Sequence, residues 1–146
     1  MKKLLLISLV GIVLVGCGEN KVTKEMLIGQ WECSLIGRVA KWKDGNYQEY
    51  VPIKNDSGTI KYFMKDDTLY FNFGTKNSYP YDLSSYYNKS ELLKSQNGAY
   101  LATKKSIQYI SHDQFKTIEE TEIIFEDDEN KNKKVNIEIT CNRTPK

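Results

Sequence analysis

Lys134-Val135-Asn136-Ile137-Glu138-Ile139-Thr140-Cys141-Asn142-Arg143 alternates without a break between two kinds of side chain. Val135, Ile137, Ile139, Cys141 and Arg143 fall on one face, and the polar members fall on the other. A strict two-residue period marks a half-buried β-strand, because successive side chains of extended backbone point to opposite sides. Reading backwards, Thr121-Glu122-Ile123-Ile124-Phe125-Glu126 is a second strand, joined to the first through the polar stretch 127–133. Residues 105–110 and 114–119 make another pair around Ser111-His112-Asp113. Residues 58–65 and 68–73 make a third pair, turning at Asp66-Asp67. Ile60, Tyr62 and Met64 alternate on one of its arms, and Leu69, Phe71 and Phe73 on the other.

The front of the chain is less regular. Residues 28–36 carry Trp31 and Cys33 on one face and read as the first strand. Residues 38–42 and 47–53 flank a turn at Lys43-Asp44-Gly45-Asn46. Between residues 79 and 97 the period changes. Leu83, Tyr86, Tyr87, Leu92 and Leu93 suit one short helix or structured loop, which Asp82 caps and Asn97-Gly98 stops. Successive hairpins with one longer excursion predict an all-β fold, a small antiparallel up-and-down β-barrel. Closure removes the edge strands, and the expected seam lies between the first and last strands.

The N-terminus carries a different signal. Met1-Lys2-Lys3 precedes an apolar run, residues 4–15, that ends in Leu14-Val15-Gly16-Cys17. Charged start, apolar middle and small residue before the cut form the layout of a secretory signal. Twelve helical residues span roughly 18 Å, short of the ~30 Å hydrocarbon core, so a transmembrane span is not expected. The ending resembles a bacterial lipobox. That resemblance implies a signal peptide over residues 1–16, cut before Cys17, whose thiol and new amine receive fatty-acyl chains of the palmitate kind. Several chains on one residue give stable anchoring where one is marginal. The resemblance also implies a cell-envelope protein. Gly18 stands where an aspartate marks inner-membrane retention in Gram-negative bacteria, so the outer membrane is expected in such an organism. Residues 17–22 form a lipidated tether, and residues 23–146 the folded domain.

Removing the leader changes the charge. The chain has 21 basic and 19 acidic side chains. Lys2 and Lys3 leave with the signal, so 19 face 19, and nothing in this balance supports a nucleic-acid partner. Cys33 and Cys141 then remain as an even pair in an oxidising compartment, read as one disulfide joining the first and last strands.

Gly29-Gln30-Trp31 resembles the G-x-W signature on the first strand of lipocalin-like (calycin-type) proteins. Thr23 caps a short turn ahead of it. The resemblance implies a barrel over roughly residues 23–143, with Trp31 at its closed end and a basic residue of the last strand, here Arg143, stacked across it.

No catalytic residue is assigned. His112 is the one histidine, and in Ser111-His112-Asp113 neighbouring side chains of a tight turn point apart, so they do not converge as a triad must. Asp127-Asp128-Glu129-Asn130 lacks the spaced oxygens and turn glycine of a calcium loop, and no other metal motif and no cofactor motif is seen. Tyr79, Tyr81, Tyr86 and Tyr87 form the densest aromatic cluster. They read either as a recognition surface or as a plug for one end of the barrel. The leading expectation is a non-enzymatic, membrane-anchored lipoprotein that binds an envelope or secreted protein, in the manner of an inhibitor or immunity protein. The alternative is a lipocalin-like carrier of an apolar small molecule; a hydrolase with dispersed residues ranks behind both.

Overall fold

The computed structural model describes residues 20–87, 90–94 and 98–145. The leader, residues 17–19 of the tether including Cys17, and Asn97 lie outside the described residues. The chain order is α1 (Lys24–Leu27), β1 (Gly29–Lys43), β2 (Asn46–Tyr47), β3 (Val51–Lys65), β4 (Thr68–Asn72), β5 (Tyr79–Pro80), a 3-10 turn (Leu83–Tyr86), β6 (Ser90–Lys94), β7 (Ala99–Ser111), β8 (Gln114–Phe125), a second 3-10 turn (Glu129–Lys131) and β9 (Lys133–Arg143). Thr23 caps α1 by accepting the Met26 N–H at 3.2 Å.

One antiparallel sheet holds the strands in the order β5-β4-β3-β1-β9-β8-β7-β6, with β2 folded onto β1. The fold is all-β and up-and-down, and its first and last strands pair from Trp31↔Arg143 to Lys41↔Lys133. Among the described residues the sheet ends at β5 and β6 instead of joining them, so the curled sheet is a half-barrel. The opening lies between β5 and β6, and the first and last strands join as expected. Pro80, which has no N–H to donate, sits in the two-residue β5 and suits an edge.

Several strands are longer than the pattern predicts. Residues 28–36 and 38–42 merge into β1, where the β3 register shifts between Gly37 and Arg38. A bulge absorbs the irregularity that looked like a boundary. Residues 114–119 and 121–126 likewise fuse into β8, because β7 and β9 pair with it continuously on both sides. The 47–53 segment is split: β2 ends at Tyr47 and β3 starts at Val51. Leu92 and Leu93, expected in a short helix or structured loop, lie in β6, paired with Ala102 and Leu101 of β7.

The tight turns use left-handed backbone. Asp44 and Gly45 have φ of 53° and 81°, and Asp66 and Asp67 have 49° and 60°. Two-residue hairpins of type I′ take positive φ at both central positions to match strand twist, which short acidic side chains tolerate.

The core sits at one end, against α1. Trp31, Phe115, Leu27, Leu69, Val22 and Cys141 are its fully buried side chains. Val22, the last residue of the expected tether, is therefore part of the core. The other end of the long strands extends beyond this core, and residues 51–58 of β3 are exposed throughout.

Candidate functional site

The closed end is organised around two side chains. Arg143 places its guanidinium carbon 4.3 Å from the Trp31 ring centroid. Its Nη2 donates to the Met26 carbonyl at 2.7 Å and to that of His112 at 3.4 Å; Nη1 donates to the Ile28 carbonyl at 3.2 Å. Nε pairs with Asp113 at 3.0 Å. These bonds fasten α1, the β7–β8 turn and β9 to one point. Trp31 Nε1 donates to the Leu27 carbonyl at 2.7 Å, and its ring meets Phe115 edge-on at 4.8 Å. Gly29 has a physical reason here: its φ is +131°, and an added Cβ would lie 3.0 Å from Arg143 Nη1. His112 and Asp113 thus serve the turn, with Ser111 Oγ accepting the Asp113 N–H at 3.3 Å.

The excursion is mostly an aromatic plug. Asp82 caps the 3-10 turn by accepting the Ser84 N–H at 3.0 Å. Tyr81, Tyr86 and Tyr87 pack against the core cluster. Tyr81 stacks on Tyr86 with centroids 5.4 Å apart and meets Tyr62 edge-on at 5.2 Å. Burial pushes the Tyr81 hydroxyl far above the usual phenol range, and the neighbouring Tyr62 and Tyr86 add to the shift. That hydroxyl is buried without a hydrogen bond of good geometry. The Tyr87 hydroxyl donates to the Val22 carbonyl at 2.7 Å, tying the start of the domain to the excursion. Of the four tyrosines, Tyr79 alone is exposed, at 48 %.

The inner face of the half-barrel holds an open trough of about 360 Å³, walled by Leu35, Ile60, Phe73 and Ile139 with Cys33 at its floor. Cys33 and Cys141 stand directly opposite on β1 and β9, Cα atoms 4.1 Å apart, and are disulfide-bonded. Further along the same face Lys105 and Glu119 form an ion pair at 3.6 Å. The outer face carries a charge lattice in which Glu138 bridges Lys116 at 3.2 Å and Arg38 at 4.0 Å. Tyr47 and Tyr50 donate to Glu122 and Glu120 at 2.6 and 2.9 Å.

No protein-family model and no curated protein sequence matches the chain. Two solved structures are similar in chain path. One is a protein of unknown function of the DUF3598 family from Nostoc punctiforme, 13 % identical with a TM-score of 0.44, covering 84 % of this chain and 49 % of that one. The other is the ywiB protein of Bacillus subtilis, 11 % identical with a TM-score of 0.32, covering 80 % and 94 %. The chain spans about half the length of the first.

Two features escaped the sequence. The 127–133 stretch is more than a polar connection: Asp128 caps a 3-10 turn, and the Asn132 carbonyl accepts the Trp42 N–H at 2.9 Å. The second feature is the outer side of β3. Only residues 61–65 pair with β4, so the side of residues 51–60 away from β1 has no strand beside it among the described residues. Pro52 and Lys54 in this stretch, both common on sheet edges, were the available signal.

Proposed function

We propose that the chain is a cell-envelope lipoprotein, anchored through acyl chains on Cys17, whose half-barrel binds another protein without performing chemistry on it. In a Gram-negative organism Gly18 directs this reading to the outer membrane. The anchor rests on Leu14-Val15-Gly16-Cys17 behind the 4–15 apolar run. The observation that carries the binding role is the open wall. The sheet stops at β5 and β6, and Phe73, Tyr79, Leu92 and Leu93 are exposed there at 57, 48, 70 and 56 %. Apolar side chains on open sheet edges favour association with another chain.

The carrier reading draws on the apolar side chains of the trough. A small-molecule site buries about 70–90 % of its ligand, whereas this trough is open along one side. That favours the protein partner.

The test uses the full chain in its native envelope. Cys17→Ser should abolish labelling by a palmitate analogue and release the protein from membranes. Crosslinking and mass identification should then recover a defined protein whose capture falls with Tyr79→Ala and persists when Asp127 and Asp128 are neutralised. Co-purification of an apolar small molecule without any protein partner would favour the carrier instead.

A further inference from the structure

We infer that the free edge of β3 accepts an extended segment of the partner as an added strand, with apolar side chains turned into the trough and basic side chains turned to the outer face. This rests on the binding-module reading above and specifies how the partner is held.

Hydrogen bonding along β1 fixes which groups of β3 are available. The 4.1 Å Cα separation of Cys33 and Cys141 is that of a non-hydrogen-bonded antiparallel pair. Gln30 instead bonds towards β9, accepting the Thr144 N–H at 3.0 Å. Even-numbered residues of this part of β1 therefore serve β9, and odd-numbered ones serve β3. Gly58 and Ile60, opposite Cys33 and Trp31, spend their backbone groups on β1. Ser57 and Thr59, opposite Ser34 and Glu32, point theirs away from it. The Ser57 N–H agrees with this: it is held by its neighbour's carboxylate, Asp56 Oδ1, at 2.9 Å. Lys54 and this N–H draw the Asp56 carboxyl below its usual range.

The space beside these groups is vacant among the described residues for a local reason. The next pair after Lys61↔Asn72 would set Phe73 against Ile60, but Gly74 takes φ of 74° and the chain turns away. A strand continuing the line of β4 would fill the space. Concavities flank the edge on both faces. The trough of about 360 Å³ lies on one, and on the other is a concavity of about 370 Å³ lined by Glu32, Ser34, Thr59 and Asn142. Gly58 separates the two, and a Cβ there would meet nothing within 4 Å. An added strand sends alternate side chains to opposite faces, so it enters both concavities at once. Leu35, Ile60, Phe73 and Ile139 wall the trough and call for apolar side chains, while Asp56, which also lines it, is paired with Lys54 at 3.2 Å. Glu32 on the outer face has no ion-pair partner among the described residues, and it calls for a basic one.

The test uses full-length chain in detergent micelles, a short synthetic peptide alternating valine and lysine, and amide hydrogen exchange. The peptide should slow exchange at Thr59; Ser57, whose N–H Asp56 already holds, is a poorer reporter. Thr59→Pro, which removes an outward N–H while sparing the bonds to β1, should weaken binding about tenfold or more. Methylating the alternate peptide nitrogens that face the edge should do the same. Thr59→Val keeps the N–H and should bind like the parent, and Glu32→Gln should weaken binding severalfold. Strand addition is overturned if the peptide gives no protection, or if binding survives Thr59→Pro or nitrogen methylation. It is also overturned if Thr59 is already protected without peptide, which would mean that a second copy or another part of this chain holds the edge. A native partner whose capture ignores Thr59→Pro overturns strand addition and leaves the binding-module reading standing.

Discussion

Arg143 is held over the indole of Trp31 while three of its nitrogens reach two segments far away in the chain, so one side chain locks the closed end. Trp31→Ala should destabilise the fold by about 3–5 kcal/mol in denaturant unfolding, as a fully buried aromatic loss. Arg143→Lys keeps the charge but loses the planar fork, and should cost about 2 kcal/mol. A Trp31→Ala loss below about 1 kcal/mol would contradict this arrangement.

Gly29 and Gly58 sit on paired strands and should respond in opposite ways to alanine. Gly29→Ala meets both a positive φ and the Arg143 guanidinium, and should cost about 1–3 kcal/mol. Gly58→Ala meets open space at an ordinary φ, and should stay within about 0.5 kcal/mol. Equal effects in thermal unfolding would refute the close approach at Gly29.

The disulfide closes a separation of 108 residues between strands that are already paired. Replacing both cysteines with alanine should cost about 2–5 kcal/mol while leaving circular dichroism of the sheet intact. Intact mass should rise by two hydrogens on reduction, and free thiols in unreduced, unfolded protein would count against the bond.

Tyr81 separates ring from hydroxyl. Tyr81→Phe removes a buried hydroxyl that makes no hydrogen bond of good geometry, and should leave stability unchanged or raise it by up to about 1 kcal/mol. Tyr81→Ala removes a ring packed on Tyr62, Phe71 and Tyr86, and should cost about 3 kcal/mol. Tyr79→Ala is therefore the cleaner probe of partner contact.

Alkaline pH should destabilise the fold through its tyrosines. Burial first, and then the bond to Glu120, raise the Tyr50 hydroxyl to about 12; Tyr47, Tyr62 and Tyr81 are raised as well. A raised folded-state pKa favours the neutral form. The contribution is whole below the unfolded value of about 10 and is lost as pH climbs through the folded value. Unfolding midpoints should fall between about pH 10 and 12, and Tyr50→Phe should reduce that fall. Phenolate absorbance rising fully near pH 10 in folded protein would refute the shifts.

The sequence alone determined the strands and their partners near the C-terminus. The two-residue period of residues 134–143 and the acidic turn at residues 66–67 are local signals, and local backbone preference is enough to read them. Gly29, Trp31 and Arg143 were legible as a set because the closed end repeats a recognisable pairing. The tertiary structure decided the rest. Nothing in residues 36–39 says whether a break ends a strand or bulges within one; β9 decides that by pairing straight through it. Leu92 and Leu93 have no strand period of their own and become β6 by lying against β7. The half-barrel and the open side of β3 depend on where Gly74 sends the chain after Phe73. Sheet closure is a property of the whole strand set, and a two-residue hydrophobic period is the same in a closed barrel as in an open one.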